Sequence, residues 1–201
     1  MPWEVEGGVV EKDEKRLLKL IRERSYRYSP EAPFQLSSGR VSPHYVDLRA
    51  LLCMPEALVV TGKIIFARIK QFERQAHTKV QAIGGPAEGA IPIASAVACY
   101  SYEVGDPIET FFVRKEPKIH GLRKWVEGHS RVGSNVVVVD DVVTTGGSTL
   151  KAIHAAEEHG FKVVKIIVLV DRLEGGKEKL SGLGVPYEAV FTLHEITAIS
   201  S

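Results

Sequence analysis

The sequence has few cysteines, almost no net charge and no long apolar run. Its two cysteines, Cys53 and Cys99, have neither metal-site spacing nor the number that a disulfide framework needs. Cys99 lies in an apolar stretch, so we expect it in the core. Lys and Arg total 26 against 25 for Asp and Glu, and this net charge of +1 argues against a nucleic-acid partner, which requires a basic surface.

Membrane and secretion signals are also missing. The least polar stretch, residues 89–102, carries no charge but is shorter than the roughly 20 residues that cross a bilayer. The N-terminus has no basic region followed by an apolar one, so no secretion signal is visible. We therefore expect a cytoplasmic protein without a membrane contact. A chain of 201 residues with 44% hydrophobic and 25% charged residues suits one domain.

Short apolar runs alternate with helical patterns from residue 79 onward. Strands are predicted at residues 45–48, 80–83, 108–113, 136–139, 163–170 and 187–193, and helices at residues 11–26, 57–72, 91–100 and 150–159. The four valines at 136–139 suit a central strand covered on both faces, and Gly160 is well placed to end a helix. The pattern predicts an α/β fold with a doubly wound, mainly parallel sheet flanked by helices.

Glycines or charged residues follow four of the predicted strands. These pairs are Gly84-Gly85, Arg114-Lys115, Asp140-Asp141 and Asp171-Arg172. Ligands of doubly wound sheets bind beyond the C-terminal ends of the strands. We therefore expect the functional site at these four points.

Residues 140–148 are predicted to form a ligand-binding loop between a buried strand and a helix. Glycines allow close approach of an anion, hydroxyl groups donate hydrogen bonds, and the helix N-terminus favours negative charge, so a phosphate fits here. Asp140 and Asp141 would repel a bare phosphate, but they fit a ligand whose sugar hydroxyls they bind directly or through a divalent cation. Neither a nucleoside-triphosphatase loop nor a dinucleotide fingerprint is present. The loop thus predicts a ribose phosphate ligand.

Two other interpretations of this loop remain open. The acidic pair and the glycines could simply end a strand and form a turn. Acidic residues also follow a buried strand in phosphoacceptor receiver domains, although the Thr-Thr-Gly-Gly-Ser segment at 144–148 has no role there.

Residues 136–149 resemble the phosphoribosyl-diphosphate signature of the type I phosphoribosyltransferases. Further segments, at residues 34–45, 85–94, 114–121 and 171–172, are similar to the orotate-specific members of that family. The resemblance runs in order over residues 15–175, and the combination is more specific than any one motif.

The resemblance implies transfer of ribose 5-phosphate from phosphoribosyl diphosphate to orotate, a step of pyrimidine nucleotide synthesis. It implies Mg²⁺ as cofactor, held mainly through the substrate's diphosphate and ribose. It also implies one domain over residues 1–201, with an N-terminal hood at 1–50 and an α/β core at 51–201. In the family a lid loop, here residues 114–120, reaches the partner subunit's site, which implies a homodimer.

The resemblance also assigns site residues. Those expected to bind phosphoribosyl diphosphate are Arg114, Lys115, Lys118, His120, Asp140, Asp141, Val142, Val143, Thr144, Thr145, Gly146, Gly147 and Ser148. Of these, Asp140, Asp141, Lys118 and His120 are expected to be catalytic. Thr144, Arg172 and Phe34 are expected to bind orotate, although Phe34 could equally be a core residue.

Two departures and two rival functions stay open. Some family members have lysines where this chain has Ser37 and Gly89, so positive charge must come from elsewhere or be absent. A phosphoribosyltransferase for another base is one rival, which the segment at 34–45 and Arg172 disfavour. The other is a regulator that senses phosphoribosyl diphosphate and binds nucleic acid, which the near-neutral charge and the intact lid loop disfavour.

Overall fold

The computed structural model describes residues 7–36, 39–116 and 125–198, and within these ranges the side chains from residue 10 onward. The helices are α1 (Gly7–Arg24), α2 (Pro55–Ala76), α3 (Ala87–Glu103), α4 (Gly147–Glu158), α5 (Gly176–Ser181) and α6 (Leu193–Thr197), with a 3₁₀ turn at Leu51–Cys53. The strands are β1 (Tyr26–Tyr28), β2 (Phe34–Gln35), β3 (Val41–Ser42), β4 (His44–Val46), β5 (Ala82–Pro86), β6 (Glu109–Val113), β7 (Val126–Gly128), β8 (Asn135–Val143), β9 (Lys162–Asp171) and β10 (Tyr187–Thr192). Ser37, Lys118 and His120 lie outside the described residues.

The main sheet has six strands in the order β10-β9-β8-β5-β6-β7. All neighbouring strands are parallel except β7, which pairs antiparallel with β6. The predicted doubly wound, mainly parallel sheet is therefore confirmed. Two short antiparallel ribbons, β1 with β4 and β2 with β3, precede it in the chain.

The four-valine run of β8 lies at the centre of the sheet and is fully buried. Val137 and Val139 pack into the cluster formed with α1, α2 and α3, whereas Val136 and Val138 pack into the cluster that includes α4. Successive side chains of a strand point to opposite faces, so a strand covered by helices on both sides must be apolar at every position. This arrangement confirms the interpretation of the valines.

Strand β8 extends further than the sequence predicted. It continues through the acidic pair to Val143, and Asp140 and Val143 pair with Val168 and Asp171 of β9. The connection to α4 is thus only residues 144–146, and the helix begins at Gly147. Aspartate is unfavourable in strands, but here the long neighbouring strand β9 supplies backbone partners that local sequence does not reveal.

Gly84 and Gly85 lie inside β5 rather than in a turn after it. A Cβ at Gly84 would lie 2.0 Å from the carbonyl oxygen of Phe111, and one at Gly85 would lie 2.1 Å from that of Val139. These glycines therefore permit the close approach of the neighbouring strands β6 and β8.

Two local predictions had opposite outcomes. Gly160 has a φ of +93° directly after α4, and its N–H donates to the carbonyl of Glu157, which confirms it as the C-terminal glycine of that helix. The prediction that Cys99 lies in the core is wrong, because Cys99 is exposed. Helix α3 buries Ile93 and Val97 on its other side, and the apolar composition of its sequence did not reveal which face is covered.

None of the helices in the described part of the chain is long and apolar enough to cross a membrane.

Candidate active site

A cleft of about 960 Å³ opens at the C-terminal ends of the parallel strands. Residues following β5, β6 and β9 line it together with the end of β8, so three of the four predicted strand-end points meet there, whereas Gly84 and Gly85 lie within β5 and do not line it. The strand-end residues lining it are Pro86, Ala87, Glu88, Gly89, Arg114, Lys115, Asp140, Asp141, Val142, Thr144 and Arg172. The parallel sheet produces this convergence because all of these strands end at one edge.

Some of the predicted site residues line the cleft and others do not. Of the ribose phosphate segment, Asp140, Asp141, Val142, Thr144 and Ser148 line the cleft, together with Arg114, Lys115 and Arg172. Val143 is not among the lining residues and packs in the core beside α4. Thr145, Gly146 and Gly147 form the turn and the first residue of α4 without lining the cleft.

Phe34 also does not line the cleft. Its ring stacks on Tyr45, with 5.1 Å between ring centroids, and Tyr45 is the residue that faces the cleft. Phe34 therefore supports one wall indirectly, and its predicted contact with a base stays a prediction.

Asp140 is a buried carboxylate held by the first turn of α4. Its side chain is 4% exposed, and its Oδ2 accepts a hydrogen bond of 2.7 Å from the Thr149 hydroxyl and a longer one of 3.4 Å from Ser148. Its Oδ1 accepts from the backbone N–H of Asp141 at 3.0 Å. Burial, followed by the charge of Asp141, raises the pKa of Asp140 to about 7.

Asp141 lies beside it at the cleft wall. Its Oδ1 accepts a hydrogen bond of 2.8 Å from the N–H of Val142. Burial raises the pKa of Asp141 above its ordinary value, and the nearby charge of Asp47 adds to the effect. The charged form of both adjacent carboxyls is therefore less favourable than it would be in water. Hydrogen-bond donors of a ligand would stabilise that charged form.

Gly89 fits against this acidic pair because it has no side chain. A Cβ at this position would lie 2.4 Å from Oδ1 of Asp140 and 2.6 Å from Oδ1 of Asp141. No larger residue fits there while both carboxylates keep their positions. The lysine of other family members therefore has no room here with the carboxylates so placed.

The three predicted cations of the cleft each have a carboxylate partner. Arg114 Nη1 lies 3.3 Å from Oε1 of Glu127, and Lys115 Nζ lies 2.5 Å from Oε1 of Glu88. The second of these pairs is well exposed, with 72% of the lysine side chain and 58% of the glutamate side chain accessible. Such an exposed pair is weak and easily exchanged for another anion.

Arg172 is different because it is buried. It is 4% exposed, and its Nε donates to Glu174 at 2.8 Å while Nη2 donates to the carbonyl of His44 at 2.9 Å. Among the described residues, no hydrogen bond is made by its Nη1. The guanidinium is thus fixed, with one nitrogen available beside the cleft.

The structure adds residues that the sequence analysis did not select. The cleft is also lined by Tyr45 of β4, by Asp47 and Arg49 after it, and by Trp125, Lys151 and His154. Asp47 and Arg49 are charged residues at the end of a predicted strand, so the rule that selected the other four points could have found them.

Among residues 7–36, 39–116 and 125–198, no three His, Cys, Asp or Glu side chains are grouped to hold a metal ion. Mg²⁺ commonly binds through substrate phosphates, waters and only one or two carboxylates. The acidic cleft is therefore compatible with Mg²⁺ that enters on a diphosphate.

Comparison with known proteins identifies the family of this chain. The family model for the phosphoribosyl transferase domain matches residues 58–184, which include β5, β8 and the turn into α4. The chain belongs to the phosphoribosyltransferase family. The orotate phosphoribosyltransferase of Aquifex aeolicus is 41% identical over 184 residues, covering 92% of this chain and 97% of that relative.

Solved structures of phosphoribosyltransferases are similar to this chain in fold. The orotate phosphoribosyltransferase of Mycobacterium tuberculosis in complex with Fe(III) dicitrate has a TM-score of 0.75 at 33% identity, covering 92% of this chain and 99% of that one. The same enzyme in complex with 5-phospho-alpha-D-ribosyl 1-diphosphate has a TM-score of 0.69 at 29% identity, covering 92% of each chain.

Proposed function

We propose that this phosphoribosyltransferase acts on orotate and phosphoribosyl diphosphate, producing orotidine 5′-monophosphate and pyrophosphate in pyrimidine nucleotide synthesis. The observation that carries the proposal is the acidic pair at the end of β8. Asp140 and Asp141 line the same cleft as the hydroxyl groups of Thr144 and Ser148. Carboxylates beside hydroxyl donors at a helix N-terminus suit a ribose that carries a phosphate.

The ribose 5-phosphate end of the substrate binds at the turn into α4. The 5′-phosphate accepts hydrogen bonds from residues 144–148 and from the N–H groups at the start of this twelve-residue helix. Asp140 and Asp141 accept hydrogen bonds from the ribose hydroxyls. Asp140 is prearranged for this because Thr149 fixes its Oδ2.

In the reaction, a ring nitrogen of orotate forms a bond to the anomeric carbon and loses its proton to water. The bond from that carbon to the diphosphate oxygen breaks, and its electron pair leaves with pyrophosphate. Positive charge develops on the ribose ring in between, next to the two carboxylates. No covalent nucleophile of the protein is required, so catalysis depends on alignment and electrostatic stabilisation.

Arg114 and Lys115 bind the diphosphate, and we propose the same role for Lys118 and His120. The exposed Lys115–Glu88 pair supports this role, because the lysine can exchange its partner for a phosphate. When bound, Mg²⁺ supplies further neutralisation of the diphosphate. Closure of the lid loop over the site excludes water that could capture the activated sugar.

Arg172 binds the carboxylate of orotate through its remaining nitrogen, and Thr144 hydrogen-bonds the base. Burial of the arginine and its two fixed hydrogen bonds support a specific rather than a diffuse contact. Phe34 supports this pocket through Tyr45.

Three further features belong to the same proposal. The chain forms one domain, in which residues 1–50 are the hood over the core at 51–201. The protein acts as a homodimer whose lid loop reaches the partner's site. Its location is the cytoplasm.

The test is an absorbance assay of purified protein with phosphoribosyl diphosphate and Mg²⁺, offering orotate, uracil, hypoxanthine and adenine in parallel. We expect Mg²⁺-dependent consumption of orotate only, and its loss in Asp140→Asn/Asp141→Asn protein. Asp13→Asn, an aspartate of α1 outside the cleft, is the control and should keep full activity. Turnover of another base would refute the orotate assignment, and binding of phosphoribosyl diphosphate without any turnover would favour the regulator.

A further inference from the structure

Arg49 lines the cleft and is held there by Asp47. Its Nε donates to Oδ1 of Asp47 at 2.9 Å and its Nη2 donates to Oδ2 at 2.7 Å. The backbone N–H of Arg49 also donates to Oδ1 of Asp47 at 3.0 Å. Three hydrogen bonds to one carboxylate fix both the start and the end of the arginine side chain.

This arrangement leaves half of the guanidinium available. A guanidinium has two edges that can each bind an anion with two parallel hydrogen bonds. Asp47 occupies the edge formed by Nε and Nη2. The edge formed by Nη1 and the second N–H of Nη2 makes no hydrogen bond to any residue that the structure describes, and 60% of the Arg49 side chain is exposed.

The pKa shifts of Glu88 and Arg49 indicate which charged residues of the cleft lie near Arg49. The pKa of Glu88 is lowered by its hydrogen bond to Lys115 and, in addition, by the charge of Arg49. The pKa of Arg49 is raised mainly by Asp47, with a further contribution from Asp141. Arg49 therefore lies within electrostatic reach of Glu88 and of Asp141.

The two other arginines of the cleft have less freedom to meet a second anion, whereas the Lys115 side chain is 72% exposed and can exchange its partner. Arg172 has only 2% of its side chain exposed, and Arg114 has 39% exposed and faces Glu127. Position 89, on the wall formed by the acidic pair, has no room for any side chain. Arg49 is thus an exposed arginine of the cleft whose second edge is held in place by Asp47.

We infer that Arg49 is a further binding residue for the diphosphate of phosphoribosyl diphosphate, and that Asp47 is the residue that positions it. The identity of the substrate rests on the proposed function. The contact itself requires only an anion that accepts two parallel hydrogen bonds, which is what a diphosphate oxygen pair offers.

The experiment compares Arg49→Gln with wild-type protein and with Arg74→Gln, an exposed arginine of α2 outside the cleft. Binding of inorganic pyrophosphate with Mg²⁺, and of ribose 5-phosphate, is measured by titration calorimetry. We expect Arg49→Gln to weaken pyrophosphate binding about tenfold or more, the usual effect of losing a charge-assisted contact. Ribose 5-phosphate binding should stay unchanged, and the control should match wild type for both ligands.

Steady-state kinetics provide the second measurement. KM for phosphoribosyl diphosphate should rise in Arg49→Gln while KM for orotate stays the same. Asp47→Asn should produce a smaller rise, because the arginine remains but its orientation is less restricted. Arg49→Lys should recover only part of the loss, since an ammonium group cannot hold Asp47 and a phosphate with two parallel pairs of hydrogen bonds.

Unchanged pyrophosphate binding in Arg49→Gln, or an equal loss of ribose 5-phosphate binding, would overturn the inference. Full recovery of pyrophosphate binding in Arg49→Lys would overturn the inference that one edge of the guanidinium holds Asp47 while the other binds the diphosphate. The role of Arg49 and the proposed function are tested independently, because pyrophosphate binding is measured without any turnover of orotate. Wild-type protein that binds pyrophosphate through Arg49 but does not consume orotate would refute the orotate assignment and support the role of Arg49.

Discussion

The buried carboxyl group of Asp140 should make the free energy of unfolding depend on pH, and Asp140→Asn should remove that dependence. Burial and the charge of Asp141 raise the pKa of Asp140 to about 7, against an ordinary value of 3.8. The folded protein therefore binds the proton more tightly than the unfolded chain does. Because the neutral form is favoured on folding, ionisation of this group destabilises the folded state.

The sign and range follow from these two pKa values. Below about pH 4 the carboxyl is protonated in both states and contributes nothing. Between about pH 4 and pH 7 it is ionised only in the unfolded chain, so stability falls as pH rises, and above pH 7 the loss is constant. Between pH 5 and pH 8 this amounts to roughly 2–3 kcal/mol.

Asparagine at this position carries no charge at any pH, but it also lacks one of the two acceptor oxygens. Asp140 accepts from Thr149 through Oδ2 and from the backbone of Asp141 through Oδ1, so one of these hydrogen bonds is lost at a cost of about 1–3 kcal/mol. We expect the variant to equal or exceed wild type in stability at pH 8, and this difference to shrink by roughly 2–3 kcal/mol between pH 8 and pH 5.

Urea unfolding in Mg²⁺-free buffer at pH 5, 6, 7 and 8 measures this difference. The free energy of unfolding of Asp140→Asn minus that of wild type should increase with pH up to about pH 7 and then level off. Asp13→Asn serves as the control for a general effect of removing an aspartate. A difference between Asp140→Asn and wild type that is the same at all four pH values would refute the reasoning, because it would mean that Asp140 ionises normally in the folded state.

Two further substitutions test the packing around the acidic pair. Thr149→Val removes the 2.7 Å hydrogen bond to Asp140 from a fully buried position and should lower the free energy of unfolding by about 1–3 kcal/mol, whereas Thr149→Ser should lose less because it keeps the hydroxyl. A Thr149→Val loss no larger than that of Thr149→Ser in urea unfolding would contradict this expectation, because valine keeps the methyl group of threonine and lacks its hydroxyl. Gly89→Ala places a methyl group 2.4 Å from Oδ1 of Asp140 and should destabilise the protein by about 1–3 kcal/mol, whereas Gly182→Ala, with contacts no closer than 3.4 Å, is the matched control. A Gly89→Ala midpoint equal to that of the control would mean that the carboxylates move aside freely.

The sequence was sufficient to predict the sheet because its strongest signal is short apolar runs separated by helical patterns. The valines at 136–139 could be assigned to a central strand, since a strand buried on both faces leaves no alternation. The end of that strand could not be predicted. Asp140 to Val143 continue in β8 only because the ten-residue strand β9 lies alongside them.

The site was predictable to the extent that its residues follow strands. Asp140, Asp141, Arg114 and Arg172 meet at one cleft, as a parallel sheet requires. The role of Tyr45 as the residue facing the cleft, with Phe34 behind it, depends on the packing of two short ribbons that have no distinct sequence pattern. The fit of Gly89 against the carboxylates is a three-dimensional relation between α3 and β8, so the sequence could only mark it as a departure.

The ion pairs of the cleft divide its cations into two kinds. Separating Lys115 from Glu88 requires little free energy, since both side chains are largely exposed to water. Separating Arg172 from Glu174 would leave a charge with little access to solvent, which is strongly unfavourable. A ligand anion can therefore replace the partner of Lys115, but it must add to the partners that Arg172 already has. For the proposed reaction, it follows that the part of the cleft around Lys115 can adjust as the diphosphate enters and pyrophosphate leaves, whereas Arg172 stays fixed and favours a ligand whose carboxylate reaches its one remaining nitrogen.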